Sequence, residues 1–136
     1  MAVRAIAKGV RISPRKLAPV ASLVRGRSVD DALVILAHTP RRAALAVRKT
    51  IESARANADY NHNYLPASLR ITEISITPSV RYKRYQLVSR GVSHQYQHRT
   101  SHIRVIVDGD IRQPKKPVKK IVEKTAEKTV ATKEKK

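Results

Sequence analysis

The chain has 136 residues, no cysteine, no Phe or Trp and one Met, with 29 Lys and Arg against 10 Asp and Glu for a net charge of +19. That size suggests one domain with room for a tail, and the absence of cysteine excludes a disulfide framework and any thiolate-ligated metal. A charge this high repels itself in a compact free state, so a polyanionic partner is expected, and nucleic acid is the leading class.

No apolar run approaches the ~18 residues of a membrane span. Met1 to Lys8 lacks the apolar core of a signal peptide, so a cytosolic protein is expected. Large side chains are scarce, so the core must be built from Ala, Val, Leu and Ile and is correspondingly small.

In chain order, Val3 to Ile12 reads as a strand. Ser13-Pro14 then reads as an N-cap followed by proline at the first helical position. Leu17, Val20, Ala21 and Val24 fall at helical spacing and Gly26 ends the helix. Pro19 conflicts with it, because a ring nitrogen there removes a helical hydrogen bond, so a kink or a delayed start is expected. A second helix runs from Ser28, as cap, to about His38. Asp30 and Asp31 suit its positive end, and Ala32, Leu33, Leu36 and Ala37 form its apolar face. Thr39-Pro40 repeats the cap-then-proline signal and opens a third helix to about Asp59. Its stripe of Ala43, Ala44, Val47, Ile51, Ala54 and Ala58 keeps a 3.6-residue period. Arg41, Arg48 and Arg55 recur every seven residues roughly opposite that stripe. Glu52, one turn from Arg48, could simply pair with it.

"NHNYLP" is a turn-rich connector. In "LRITEISITPSV" the apolar phase changes between Leu69/Ile71 and Ile74/Ile76, which predicts a β-bulge near Thr72-Glu73. Ile103, Val105 and Val107 alternate with His102, Arg104 and Ile106 in a last strand that stops at Asp108-Gly109. The expected fold is therefore α+β: three helices packed on a small, largely antiparallel sheet, with a long protruding β-hairpin over about residues 78–103.

The hairpin carries the functional signal. No acid occurs between Glu73 and Asp108, whereas Arg81, Lys83, Arg84, Arg90, Arg99 and Arg104 do. Tyr82, Tyr85 and Tyr96 are three of the five aromatic side chains. Bases stack on such rings, so tyrosine interleaved with arginine suits an RNA-lined groove. A turn at Ser89-Arg90-Gly91 leaves two registers open. A two-residue turn pairs Tyr85 with Tyr96; a three-residue loop removes that pair. His94, His98 and His102 share a face but stand about 13 Å apart along a strand, too far for one ion. No metal site, cofactor or catalytic constellation is expected, so the chain does not read as an enzyme.

The charge changes style near residue 112. Residues 1–111 carry 15 Arg and 4 Lys against 7 acids, and residues 112–136 carry 1 Arg and 9 Lys against 3 acids. Arginine forks make shaped phosphate contacts, while lysine is a hydrated point charge. The first part reads as a binding domain over 1–111, the second as a Lys-rich disordered tail over 112–136.

"RISPRK" at 11 to 16, "LVRGRSVDDALVIL" at 23 to 36, "TPRRAA" at 39 to 44, "SARANADYNH" at 53 to 62 and "RTSHIRVIV" at 99 to 107 occur in this order. Together they resemble the family of bacterial large-subunit ribosomal protein twenty-two over about residues 3 to 108. The resemblance implies an α+β protein of the cytoplasmic ribosome that binds large-subunit rRNA as a monomer and supports subunit assembly. It further implies a hairpin lining the nascent-peptide tunnel beside a loop of ribosomal protein four of the large subunit.

Carried onto this chain, Arg11, Ser13, Arg15, Lys16, Arg84, Arg90, Gly91, Arg99, Thr100, Ser101 and His102 match family positions associated with RNA contact or hairpin geometry, and Arg25, Arg41, Arg48, Arg81 and Lys83 are further expected rRNA contacts. The tunnel-lining tip is Gln86, Leu87, Val88, Ser89, Arg90, Gly91, Val92, Ser93 and His94. Family tips usually read Pro-Arg-Ala-(basic)-Gly-Arg, so Val88 and Val92 stand where arginines are expected, and Pro19 replaces an aliphatic residue. A free-standing nucleic-acid condensing protein is the alternative, for which the single "SPRK" copy is the only support. An RNA-modifying enzyme would need an acid–base or cofactor constellation that is absent.

Overall fold

The computed structural model describes residues 2–112. Strand β1 (Val3–Val10) is followed by helices α1 (Pro14–Val24), α2 (Val29–His38) and α3 (Arg42–His62), then by the two long strands β2 (Arg70–Leu87) and β3 (Ser93–Asp108). The sheet has the order β1-β3-β2 and both pairings are antiparallel. This is the expected α+β architecture. Helices α1 and α3 lie against the sheet, and α2 packs chiefly on α3. The expected Lys-rich tail lies outside the described residues apart from Arg112. That residue belongs to the body: its N–H donates to the Asn63 carbonyl at 2.7 Å and its guanidinium reaches Asp59 at 3.4 Å.

The expected stripe of α3 is buried in full, with Thr50 added. Leu17, Val20, Ala21 and Val24 of α1 are buried too. On α2 the buried positions are Val29, Ala32 and Leu36, while Ala37 is exposed. Alanine makes up seven of the 22 buried hydrophobic residues, and Tyr64 is the one aromatic among them. Small side chains let the helices approach closely, but each contributes little apolar area.

Two helix boundaries differ from expectation. Pro19 does not break α1, which runs through it. Its ring sits on the exposed side, where water can satisfy the Arg15 carbonyl that lost its helical donor. Thr39-Pro40 does not cap α3. Thr39 ends α2, its hydroxyl donating to the Ile35 carbonyl at 2.7 Å, and Arg41 takes the N-cap position of α3. At the other end α3 continues three residues past Asp59 to His62 and closes on Asn63 in the left-handed region, with Tyr64 N–H donating to the Ala58 carbonyl at 3.0 Å.

β2 bears two bulges. The expected one lies between Ile71 and Glu73; a second, between Pro78 and Arg81, marks the hairpin root. There β1 ends its pairing at Ser101, and the hairpin continues as two strands for seven rungs, from Arg81–Arg99 to Leu87–Ser93. Six steps of strand carry the last rung about 20 Å beyond the first. No residue from 78 to 99 is buried. Two buried hydroxyls hold the root. Thr100 donates to the Val80 carbonyl inside the bulge at 2.7 Å, and Ser101 donates to the Ile12 carbonyl. In the isosteric variant Thr100→Val that carbonyl loses its partner. The expected result is about 1–3 kcal/mol less stability, with faster hydrogen exchange at the Tyr82 and His98 amides than in the wild type. Unchanged exchange there would show that the hydroxyl does not hold the root.

Candidate nucleic-acid interface

The basic residues gather where the hairpin leaves the body. A cleft of about 550 Å³ between the starts of α1 and α3 is lined by Arg11, Ser13, Arg15, Lys16, Arg41 and Arg42, with no acidic residue. A second cleft of about 260 Å³ joins Ser13 and Arg15 to Arg81 and Arg99. A third, of about 320 Å³, joins Arg11 to Tyr82, Arg84 and His98. Arg15 is shared by the first two and Arg11 by the first and third, so the three form one basic collar around the hairpin root.

Local physical rules are broken at this collar. The positive end of a helix dipole favours anions and disfavours cations. α2 obeys: Ser28 accepts the Asp31 N–H at 3.2 Å, and Asp30 and Asp31 occupy its first turn. α1 and α3 do the opposite. Neither has a side-chain cap bond or an acid in its first turn. Arg15 and Lys16 sit in the first turn of α1, and Arg41 and Arg42 open α3. The three ion pairs among the described residues are Arg48–Glu52, Arg55–Asp30 and Arg112–Asp59, none at the collar. Uncompensated cations at two helix starts, lining one cleft, form a surface that an anion relieves.

The other expected residues fall elsewhere. Arg48 is held by Glu52 at 2.8 Å on the exposed face of α3, as their spacing allowed. Arg25 donates to the Ile74 carbonyl at 3.0 Å and ties α1 to β2. Thr100 and Ser101, expected at positions of RNA contact or hairpin geometry, are both buried with their hydroxyls committed to backbone carbonyls at the hairpin root. The His102 ring accepts the Gly9 N–H through Nδ1 at 3.1 Å. Arg42 was missing from the expected set. Its sequence signal was the Arg41-Arg42 pair, but only the late start of α3 places both in the cleft.

Along the hairpin, cross-strand partners share a face. Tyr82, Arg84 and Gln86 stand opposite His98, Tyr96 and His94, on the side away from the helices; Arg81, Lys83 and Tyr85 stand opposite Arg99, Gln97 and Gln95 on the other. Tyr85 and Tyr96 are therefore on opposite faces, and the register is that of the three-residue loop. Tyr96 instead meets the His98 ring edge-on at 5.2 Å. At the tip, Arg90 and Gly91 both take positive φ, and Val88 N–H donates to the Val92 carbonyl at 2.8 Å. Leu87, Val88 and Val92 are all exposed there. Among the described residues no group of three His, Cys, Asp or Glu could hold a metal ion, and no helix is long and apolar enough to cross a membrane.

Fold and collar together define a basic α+β protein with an unsupported hairpin, the form of a protein built into a nucleic-acid assembly. The sequence profile of the family described as Ribosomal protein L22p/L17e matches residues 5–108, and the chain belongs to that family. Among its relatives, the protein named "Large ribosomal subunit protein uL22" from Roseiflexus sp. (strain RS-1) is 45% identical over 108 residues, covering 79% of this chain and 96% of the relative. Proteins of the same name from Clostridium tetani (strain Massachusetts / E88) and Halothermothrix orenii (strain H 168 / OCM 544 / DSM 9562) are 42% and 39% identical over 107 residues. Each of those two matches covers 79% of this chain, with 96% and 95% of the relative.

The collar makes a graded prediction. Arg15→Ala combined with Arg41→Ala should lower the slope of log affinity against log salt for single-stranded RNA by about 1.4, at roughly 0.7 per lost contact. Arg48→Ala, whose partner is Glu52, should leave the slope nearly unchanged. Equal effects would show that the cleft is not the preferred anion site.

Proposed function

We propose that the chain is a structural constituent of the large ribosomal subunit that binds large-subunit rRNA through the collar and both faces of its hairpin. The observation that carries this reading is the concentration of unpaired cations at two uncapped helix starts and the hairpin root. Phosphates supply the missing anions there. The hairpin's tyrosines and histidines offer flat rings for unstacked bases, and its arginines offer forks for the backbone. In this reading the hairpin is a two-sided wedge: Arg81, Lys83 and Arg99 engage RNA on one side while Arg84 with Tyr82 and Tyr96 engages it on the other.

The tip has a separate role. Gln86 through His94 lines the nascent-peptide exit tunnel, beside ribosomal protein four of the large subunit. Leu87, Val88 and Val92 give it an apolar surface suited to contact with a passing peptide rather than with phosphate. The chain acts as a monomer within the cytoplasmic ribosome, supports subunit assembly and catalyses no reaction.

Sedimentation separates this function from nucleic-acid condensation. The chain should migrate with large subunits after a high-salt wash, and a photo-crosslinker placed at Val92 in those particles should capture nascent peptide. Recovery only in nucleoid fractions would overturn the ribosomal reading. Capture of rRNA alone at Val92 would overturn the tunnel reading of the tip.

A further inference from the structure

The collar leaves one polar surface without a role. Among the described residues, helices α1 and α3 cover one side of the sheet and no helix packs on the other. Across that other side Ile6, Arg104 and Ser75 stand abreast, with His102 and Thr77 as the next rung outward. These five and Lys8 line a concavity of about 440 Å³. Lys8 and Arg104 are exposed and belong to none of the ion pairs among the described residues. The charged groups of the next row inward are Arg4 and Glu73, both facing Ile106.

His102 gives this surface its chemistry. The bulge between Ala7 and Val10 takes Gly9 out of the β1–β3 ladder, at a φ of 68° that favours glycine. Its N–H, deprived of a cross-strand carbonyl, donates to His102 Nδ1 at 3.1 Å. A ring nitrogen that accepts leaves Nε2 as the donor of the ring. That N–H stands beside the Thr77 hydroxyl, flanked by two cations.

We propose that this helix-free side of the sheet is a second RNA-docking site, separate from the collar, that takes the ribose–phosphate edge of an RNA strand. Lys8 and Arg104 meet phosphate oxygens. The His102 Nε2–H and the hydroxyls of Ser75 and Thr77 meet ribose oxygens, for which N–H and O–H donors are matched. Ile6, exposed at 47%, lies against the sugar. Charge complementarity alone would also admit an acidic protein segment, but that partner leaves the Nε2–H and hydroxyl donors without a selective role. The inference rests on the reading of the chain as an rRNA-binding protein.

The test is a hydroxyl-radical footprint of the full chain on large-subunit rRNA from its own source, comparing wild type with two pairs of substitutions. Lys8→Ala with Arg104→Ala should erase one set of backbone protections and lower the salt slope by about 1.4. Arg15→Ala with Arg41→Ala should erase a different set. Nitrogen NMR of the free chain should find His102 as the Nε2–H tautomer at neutral pH. A footprint unchanged by the Lys8 and Arg104 substitutions, while the collar pair still loses protections, would overturn the second site and leave the rRNA reading standing. Loss of binding to a neighbouring ribosomal protein with that footprint intact would likewise overturn it. An Nδ1–H tautomer would overturn the part given to His102. No protection by the wild-type chain would overturn both readings.

Discussion

Seven rungs of paired strand carry no buried side chain, and the rest of the molecule is arranged around that fact. A two-stranded ribbon in water has nothing to pack against and is marginal by itself. Here it is also charged with one sign: Arg81 faces Arg99 directly across the ladder. The body therefore has to hold the ribbon at its root. It does so through β1, whose pairing with β3 ends at Val10 opposite Ser101, and through two buried hydroxyls that satisfy carbonyls at the bulge and at Ile12. These contacts fix where the hairpin departs and leave its outer length to whatever surrounds it.

The same logic explains why α2 and the pair α1 and α3 are built so differently. α2 is self-sufficient, with a capping serine and two aspartates at its positive end. α1 and α3 start with cations and no cap, which costs stability in the free chain. Departures of this kind concentrate at functional sites, because a partner supplies what the local sequence omits. The small, alanine-rich core leaves little reserve to offset them. Membership of the L22p/L17e family fits a chain completed by its surroundings.

Much of this was readable in the sequence wherever one face of an element is buried. The α3 stripe, the α1 positions and the first bulge of β2 follow from apolar periodicity, because burial imposes it. The hairpin was readable from its turn at Ser89-Arg90-Gly91, and its affinity for a polyanion from the absence of acids over its length. What could not be read depends on three-dimensional partners. The registers of the two candidate turns differ by one step that no buried face decides, and the loop geometry separates Tyr85 from Tyr96. Thr39 serves the end of α2 rather than the start of α3, and that shift brings Arg42 beside Arg41 in the cleft. The family motif left Thr100 and Ser101 open between RNA contact and hairpin geometry, and only their burial at the root shows which carbonyls their hydroxyls meet. Arg112 fell on the tail side of a compositional boundary that its contacts with Asn63 and Asp59 override.

Amide hydrogen exchange, compared between the free chain and the chain assembled into the large subunit, tests most directly whether RNA supplies the support the hairpin lacks. Amides from Tyr82 to Leu87 and from His94 to His98 should exchange rapidly in the free chain and become strongly protected in the subunit. Those of Ile103, Val105 and Val107 should be protected in both states. Hairpin amides as slow as the core amides in the free chain would contradict a supporting role for RNA, because the ribbon would then be stable without a partner.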